Sequence, residues 1–252
     1  MVQTQELTKY INDLLSIHNF RDYGPNGLQV EGRKTIQKLV CGVTASRALI
    51  DAAISAEADA ILVHHGYFWK GEDPCLVGMK GDRIRRLMQA DMNLLAYHLP
   101  LNAHPELGNN AQLAGRLGFS VTGRFIEDPD SGIGMYGQLH SPMQGNELAE
   151  HIGQVLQRQP LYVSGGDRAI KSIAWCSGGA QGYIQQAVEL GVDAYLTGEV
   201  SEHTVHVARE CGIHFFAAGH HATERYGAPA LGEHLAKQFG LSHKFIEIDN
   251  PA

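Results

Sequence analysis

The chain has no Cys-x-x-Cys pair. Its four cysteines, Cys41, Cys75, Cys176 and Cys211, follow no zinc-ribbon spacing, which excludes a thiolate zinc module. Cys41 and Cys176 lie inside apolar, strand-like runs, where cysteine behaves as a small hydrophobe. Long apolar stretches are also lacking. Nothing approaches the roughly 20 residues of a membrane span, and Met1-Val-Gln-Thr-Gln-Glu-Leu7 has no signal-peptide apolar region. A soluble cytoplasmic protein is expected. Positive charge is in short supply: 20 Lys and Arg stand against 27 Asp and Glu, a formal charge of −7. That argues against a broad nucleic-acid surface. Arg83, Arg85 and Arg86 are candidates for a small basic pocket, although a solvated helix face explains the run more simply. The remaining composition, 44% hydrophobic and 19% charged over 252 residues, is that of one large or two modest globular domains.

Histidine, by contrast, is plentiful, at 14 residues. Position matters more than number. His18, His140, His151, His234 and His243 lie in polar surroundings and read as surface residues. Two doublets do not. His64-His65 ends the apolar run Ala60-Ile-Leu-Val63, and His220-His221 follows Phe215-Phe-Ala-Ala-Gly219. Neighbouring side chains of a strand point to opposite faces, so two imidazoles converge most easily where a strand stops and the chain turns. Imidazole is a common metal ligand and proton carrier. A metal held between the two halves of the chain is the expectation.

The halves resemble each other. Lys38–Val43 reads as a strand, Ser46–Ala56 as a helix capped by Ser46, and Ala58–Val63 as the next strand. In the second half the same order runs through Ile173–Cys176, Tyr183–Leu190 and Val192–Thr197. The shared Asp-Ala step aligns Asp59-Ala60 with Asp193-Ala194. His64 then falls opposite Gly198, and His65 opposite Glu199. Helix and strand follow in each half (Arg83–Ala90 and Asn93–His98; His203–Glu210 and Ile213–Ala218), then another helix (Asn110–Leu117; Pro229–Phe239). The closing segments match too: Arg124-Phe-Ile-Glu127 and Lys244-Phe-Ile-Glu247. The expected fold class is α/β, with two related α/β domains facing a shared cleft. The boundary is placed at residue 122, giving domains 1–122 and 123–252. The C-terminal helix and strand are free to pack on either. Gly123–Lys171 fits the repeat poorly and reads as extra structure on the second half.

Ligands of open α/β folds gather beyond the carboxyl ends of the strands. His220 and Glu224, four apart, share a face if a helix starts after Gly219, and they offer a nitrogen and an anionic oxygen. His221 points elsewhere. The segment His98–Asn110 is dense in donors: His98, His104 and Glu106 are alternatives there. Asn102 is neutral and would bind only weakly through its carbonyl oxygen. Glu199, Glu202, His203 and His206 form a weaker cluster that reads as an exposed capped helix. Gly178-Gly179-Ala-Gln-Gly182 can cradle phosphate but reads first as a tight turn. Asn26-Gly27 is turn chemistry.

Pro25-Asn-Gly-Leu-Gln-Val-Glu-Gly32, Val63-His-His-Gly66, His98-Leu-Pro-Leu-Asn-Ala-His104 with Gly108-Asn-Asn110, Thr197-Gly-Glu199 and Gly219-His-His-Ala-Thr-Glu224 together resemble the Nif-three-like family, also described as GTP cyclohydrolase I type 2 homologues. The resemblance runs the whole chain. It implies a dinuclear site with His64, His65, His220, Glu224 and the residue at 102 as ligands. The family has a bridging aspartate at that last position, where this chain has Asn102. It implies divalent ions (Zn, Fe or Mn), two per subunit, the second weakened by the missing charge. It also implies a two-domain subunit in a hexameric ring with sites facing an inner cavity. The function that follows is a metal-dependent hydrolase acting on a nucleotide-like small molecule, with His98 or His104 relaying protons. A non-catalytic metal-binding ring scaffold and a di-iron oxidase are the alternatives.

Overall fold

A computed structural model describes residues 1–126 and 132–252 of the chain. Glu127, the last residue of the first closing segment, lies outside the described residues. The chain forms two compact units, Met1–Gly108 with Gly227–Asp249, and Asn109–Tyr226 with Asn250–Ala252. Each is mixed α/β.

The boundary expected at residue 122 falls inside the second unit. Helix Asn109–Leu117 carries Leu113, Ala114 and Leu117 into the same apolar core as Phe119, Ile152, Trp175 and Phe216. The C-terminal helix Gly227–Phe239 and strand Ser242–Phe245 belong to the first unit. Ala228, Leu231 and Leu235 of the helix, and Leu241 between helix and strand, pack with Leu39, Leu62 and Leu95.

In the first unit five strands lie in the order Ser242–Phe245, Lys38–Thr44, Ala60–His65, Asn93–Ala96, Gly27–Val30. The first four are parallel and the last is antiparallel. Apolar clusters cover both faces: Leu39, Cys41 and Leu62 face one, Val40, Ile61 and Val63 the other. That is why these strands read as unbroken apolar runs instead of alternating ones. The second unit orders six strands as Phe119–Phe125, Gly134–Met143, Ile170–Trp175, Ala194–Thr197, His214–Ala217, Leu161–Val163. The middle run Ile170–Ala217 is parallel and its flanks antiparallel.

The repeat extends to individual hydrogen bonds. Asp59 Oδ2 accepts the backbone N–H groups of Gln37 and Lys38, each at 2.8 Å, while Oδ1 meets Arg33 Nη1 at 2.7 Å. Asp193 Oδ2 accepts from the N–H groups of Lys171 (3.0 Å) and Ser172 (2.9 Å), while Oδ1 meets Arg168 Nε at 3.1 Å. Burial opposes ionisation of both carboxyls, but the backbone donors and the arginine outweigh it and hold each below its ordinary value. Gly32 and Gly165 are matched as well. A Cβ on Gly32 would strike the Asp91–Met92 backbone, and one on Gly165 the Ile213–His214 backbone.

The closing segments, alike in sequence, are placed differently. Phe119–Phe125 pairs antiparallel with Gly134–Met143, whereas Ser242–Phe245 pairs parallel with Lys38–Thr44. The last helix and strand of each repeat belong to the unit formed by the other repeat.

Candidate metal centre

In the first unit the strand Ala60–His65 ends on the doublet. Gly66 then allows the chain to turn tightly, since a Cβ there would collide with Gln29 and Ala96. The Gln29 amide clamps that turn, accepting from Tyr67 N (2.8 Å) and donating to the carbonyls of Pro25 (2.8 Å) and Tyr67 (3.1 Å). The Pro25–Gly32 motif is thus a brace for the histidines, beyond the turn chemistry read from Asn26-Gly27.

His64 is fully buried, with Nδ1 2.9 Å from the Tyr97 carbonyl. A carbonyl only accepts, so Nδ1 carries the proton and Nε2 the lone pair. His98 is fixed in the same way: Nδ1 lies 2.7 Å from Asp22 Oδ1. His65 Nδ1 lies 3.1 Å from Thr44 Oγ1. The His64 ring centroid is 4.6 Å from that of His65 and 5.0 Å from that of His98. One nitrogen from each of the three lies within 4.8 Å of the others. The edge of Trp69 packs on His98, with centroids 5.1 Å apart.

Asp22 holds this arrangement together. Its Oδ2 accepts from Leu99 N (2.9 Å) and Asn26 Nδ2 (2.8 Å), and Asn26 Oδ1 accepts His98 N at 2.7 Å. Burial works to raise the Asp22 pKa; the hydrogen bond and charge of His98 outweigh it and keep the carboxyl below its ordinary value.

Two further candidates from the same strand end sit differently. Asn102 is buried within the short helix Leu99–Ala103, its N–H bonded to the His98 carbonyl. His104 lies one residue past that helix and accepts the N–H groups of Glu106 (3.3 Å) and Leu107 (3.0 Å) on Nδ1. It stabilises its own turn.

In the second unit His220 opens the helix His220–Glu224, and the two end residues do share a face: His220 Nε2 is 3.0 Å from Glu224 Oε2. His220 Nδ1 is 2.7 Å from Glu199 Oε1. The Glu224 hydrogen bond favours the imidazolium, burial opposes it, and Glu199 adds support, so the pKa is raised to about 9. Glu224 itself is buried, and Ser177 Oγ donates to its Oε1 at 3.3 Å. His221 is buried, with its backbone N–H on the Ala252 carbonyl.

The glycine loop lies close against two carboxylates. Gly178 has φ +68°, and a Cβ there would strike the Glu224 carboxylate; one on Gly179 would touch Glu199. Gly198 is equally constrained by the Gly178 and His220 backbones. Glu202, His203 and His206 are exposed on helix Glu202–Cys211, as expected, but Glu199 is not part of that surface cluster. The repeat register, which sets Glu199 opposite His65, carries its signal; grouping it with the helix hides it. Asp22 and Asn26 have no sequence signal of this kind.

The basic run also resolves. Arg85 and Arg86 pair with Asp82, and Arg86 with Asp51 as well. Arg83 turns its Nε inward, with no hydrogen-bond partner among the described residues. Cys41 and Cys176 are buried thiols whose pKa values burial pushes up, that of Cys176 to about 12. Three histidines read as surface residues are structural instead. His234 bonds Tyr10 Oη at 2.7 Å, and His151 bonds the Leu117 carbonyl at 3.0 Å. His243 is half-buried, and burial lowers its pKa. Among the described residues, no helix is long and apolar enough to cross a membrane.

The donor chemistry fits a divalent ion. Three imidazoles with two tautomers fixed by carbonyl and carboxylate partners suit zinc, iron or manganese. In the second unit, His220 with Glu224 and Glu199 offers mixed nitrogen and oxygen donors.

The fold and these groups define an α/β protein with clustered histidines and carboxylates that could hold a metal ion. The family model described as Duf34/NIF3 (NGG1p interacting factor 3) matches residues 2–251, and the chain belongs to this family. It is 59% identical to the "GTP cyclohydrolase 1 type 2 homolog" of Pseudomonas aeruginosa over 94% of both chains, and 55% identical to that of Vibrio cholerae over 98% of both. Among solved structures it is similar to "protein ybgI, unknown function", with TM-score 0.96 and 52% identity over the whole of both chains. TTHA1606 from Thermus thermophilus follows at TM-score 0.90 and 34% identity, again over both whole chains.

Proposed function

We propose that the protein is a metal-dependent hydrolase of a nucleotide-like substrate. His64, His65, Asn102, His220 and Glu224 would hold two divalent ions per protomer, with the position served by Asn102 the weaker. Such a cation supplies a Lewis acid that polarises an electrophilic carbon or phosphorus and acidifies water. The observation that carries the reading is the clustering of His64, His65 and His98, one nitrogen of each within 4.8 Å of the others, with Nδ1 of His64 and of His98 held by a carbonyl and a carboxylate. His98 holds or passes a proton at Nε2, with Asp22 stabilising the ring as charge develops. His104, whose Nδ1 accepts the N–H groups of Glu106 and Leu107, is the alternative proton carrier. The nucleotide class rests on the name its relatives carry. A hexameric ring belongs to the same reading, and sedimentation should return six times the 27.5 kDa protomer mass.

Elemental analysis of freshly purified protein is expected to give at least one metal per protomer. The double variant H64A/H220A should lose it while keeping its circular dichroism. A nucleotide panel, run with and without the identified ion, should show hydrolysis only when the ion is present. Full metal content in the double variant would remove the ligand assignment. Metal without turnover would replace hydrolysis by non-catalytic binding, and redox-active iron with optical bands would point to a di-iron oxidase.

A further inference from the structure

The second unit holds an open pocket of about 460 Å³ whose wall includes Arg158, Leu161, Gly198, Glu199 and His220. Arg158 follows Gln157, the left-handed residue (φ +51°) that ends helix Gly145–Leu156, and its backbone N–H bonds the Gly153 carbonyl at 3.2 Å. The side chain is held at two points. Nη1 donates to the Pro251 carbonyl, and the stem lies over Gly219, where a Cβ would sit 2.5 Å from Nε. Gly219 therefore has two reasons to be glycine: φ of +98°, and the guanidinium occupying the space of its side chain. This seats Arg158 against the residue immediately before His220.

Arg158 differs from the ion-paired arginines of this chain and shares with Arg83 a buried Nε that has no hydrogen-bond partner among the described residues. Arg33, Arg86 and Arg168 each meet a carboxylate, Asp59, Asp51 with Asp82, and Asp193 respectively. Among the described residues, no carboxylate pairs with Arg158, and its buried Nε has no hydrogen-bond partner. A half-buried guanidinium without a counter-anion gives up hydration that the single bond to the Pro251 carbonyl restores only in part. Its planar fork matches the paired oxygens of a phosphate or carboxylate. A pocket of this volume takes a small organic molecule.

We infer that Arg158 is the oxyanion-binding residue of this site, receiving the phosphate or carboxylate of a small-molecule substrate in the pocket beside His220. This rests on the functional reading above in taking the bound molecule for the substrate. It is a binding and specificity role, separate from the metal donors.

The test is calorimetric titration of the protein with its own metal, using inorganic phosphate, acetate, guanosine monophosphate and guanosine as probes. Metal content and melting temperature are measured on the same samples. Wild type should bind at least one of the three anions. Arg158→Met should weaken that binding by about tenfold or more, the loss of one charge-assisted fork, while guanosine binding and metal content stay unchanged. Should the methionine variant unfold, Arg158→Lys decides: a single ammonium cannot make the fork, so a loss of about threefold or more is expected. Phosphate against acetate tells which oxyanion is preferred. Equal anion affinity in the folded variant, or no anion binding by wild type, overturns the inference. Absence of metal from a protein that still binds anions through Arg158 would instead overturn the hydrolase reading alone.

Discussion

Asn102 stands where the family resemblance implies a bridging aspartate, and the proposed two-metal reading turns on it. It is buried within Leu99–Ala103, the short helix that His98 precedes and His104 follows. A neutral amide contributes nothing against the charge of two divalent ions, so the second should bind weakly. Asn102→Asp supplies the missing charge at nearly constant volume. The metal-replete variant is expected to hold more metal than wild type, approaching two ions per protomer, and to melt higher. Stripped of metal, it should be less stable than stripped wild type by roughly 1–3 kcal/mol, because the new carboxylate is buried without its cation. Elemental analysis and melting curves with and without chelator check both halves. Unchanged stoichiometry under saturating metal would mean that residue 102 is not a ligand.

At the scale of elements, Asp59 and Asp193 show what the duplication preserves: a carboxylate that ties the start of one strand to the start of its neighbour. Both carboxyls lie below their ordinary value, so the native state binds fewer protons than the unfolded chain in that range. Their contribution is therefore fully present above the unfolded carboxylate pKa of about 3.9 and is lost as pH falls through the lower folded value. Asp193→Asn should cost about 1–3 kcal/mol at neutral pH and flatten the acid limb of the stability curve. Urea melts across the acidic range measure this; an acid limb as steep as wild type would show that Asp193 carries none of it. The Asp-Ala step was legible because it sits in contiguous apolar runs whose pattern is local. The doublets were legible for the same reason, as was the Ser46 cap, which accepts from Leu49 N. What could not be read was non-local. Asp22 reaches His98 across 76 residues, and nothing around Asp22 marks it for that partner. Arg158 was invisible likewise, since its meaning comes from Gly219 and from lacking a carboxylate.

For the whole molecule, the consequence of the duplication is an exchange. Helix Asn109–Leu117 closes the first repeat in sequence but fills the second unit's core, and helix Gly227–Phe239 does the reverse. The closing segments, alike in sequence, pair differently: the hairpin partner Gly134–Met143 stands between Phe119–Phe125 and the parallel strands, and such pairing is not written in either segment. The exchange makes a measurable claim about which residues stabilise which unit. The two tryptophans are distributed one to each: Trp69 in the first, and Trp175, fully buried with its indole N–H on the Asn110 carbonyl, in the second. Leu231, fully buried in the C-terminal helix, packs in the first unit's core. Leu231→Ala should destabilise that unit by about 2–5 kcal/mol, the range for a buried leucine truncated to alanine. Followed in single-tryptophan backgrounds, the Trp69 transition should move to lower denaturant by more than the Trp175 transition. A shift confined to Trp175 would place the C-terminal helix in the second unit and undo the exchange.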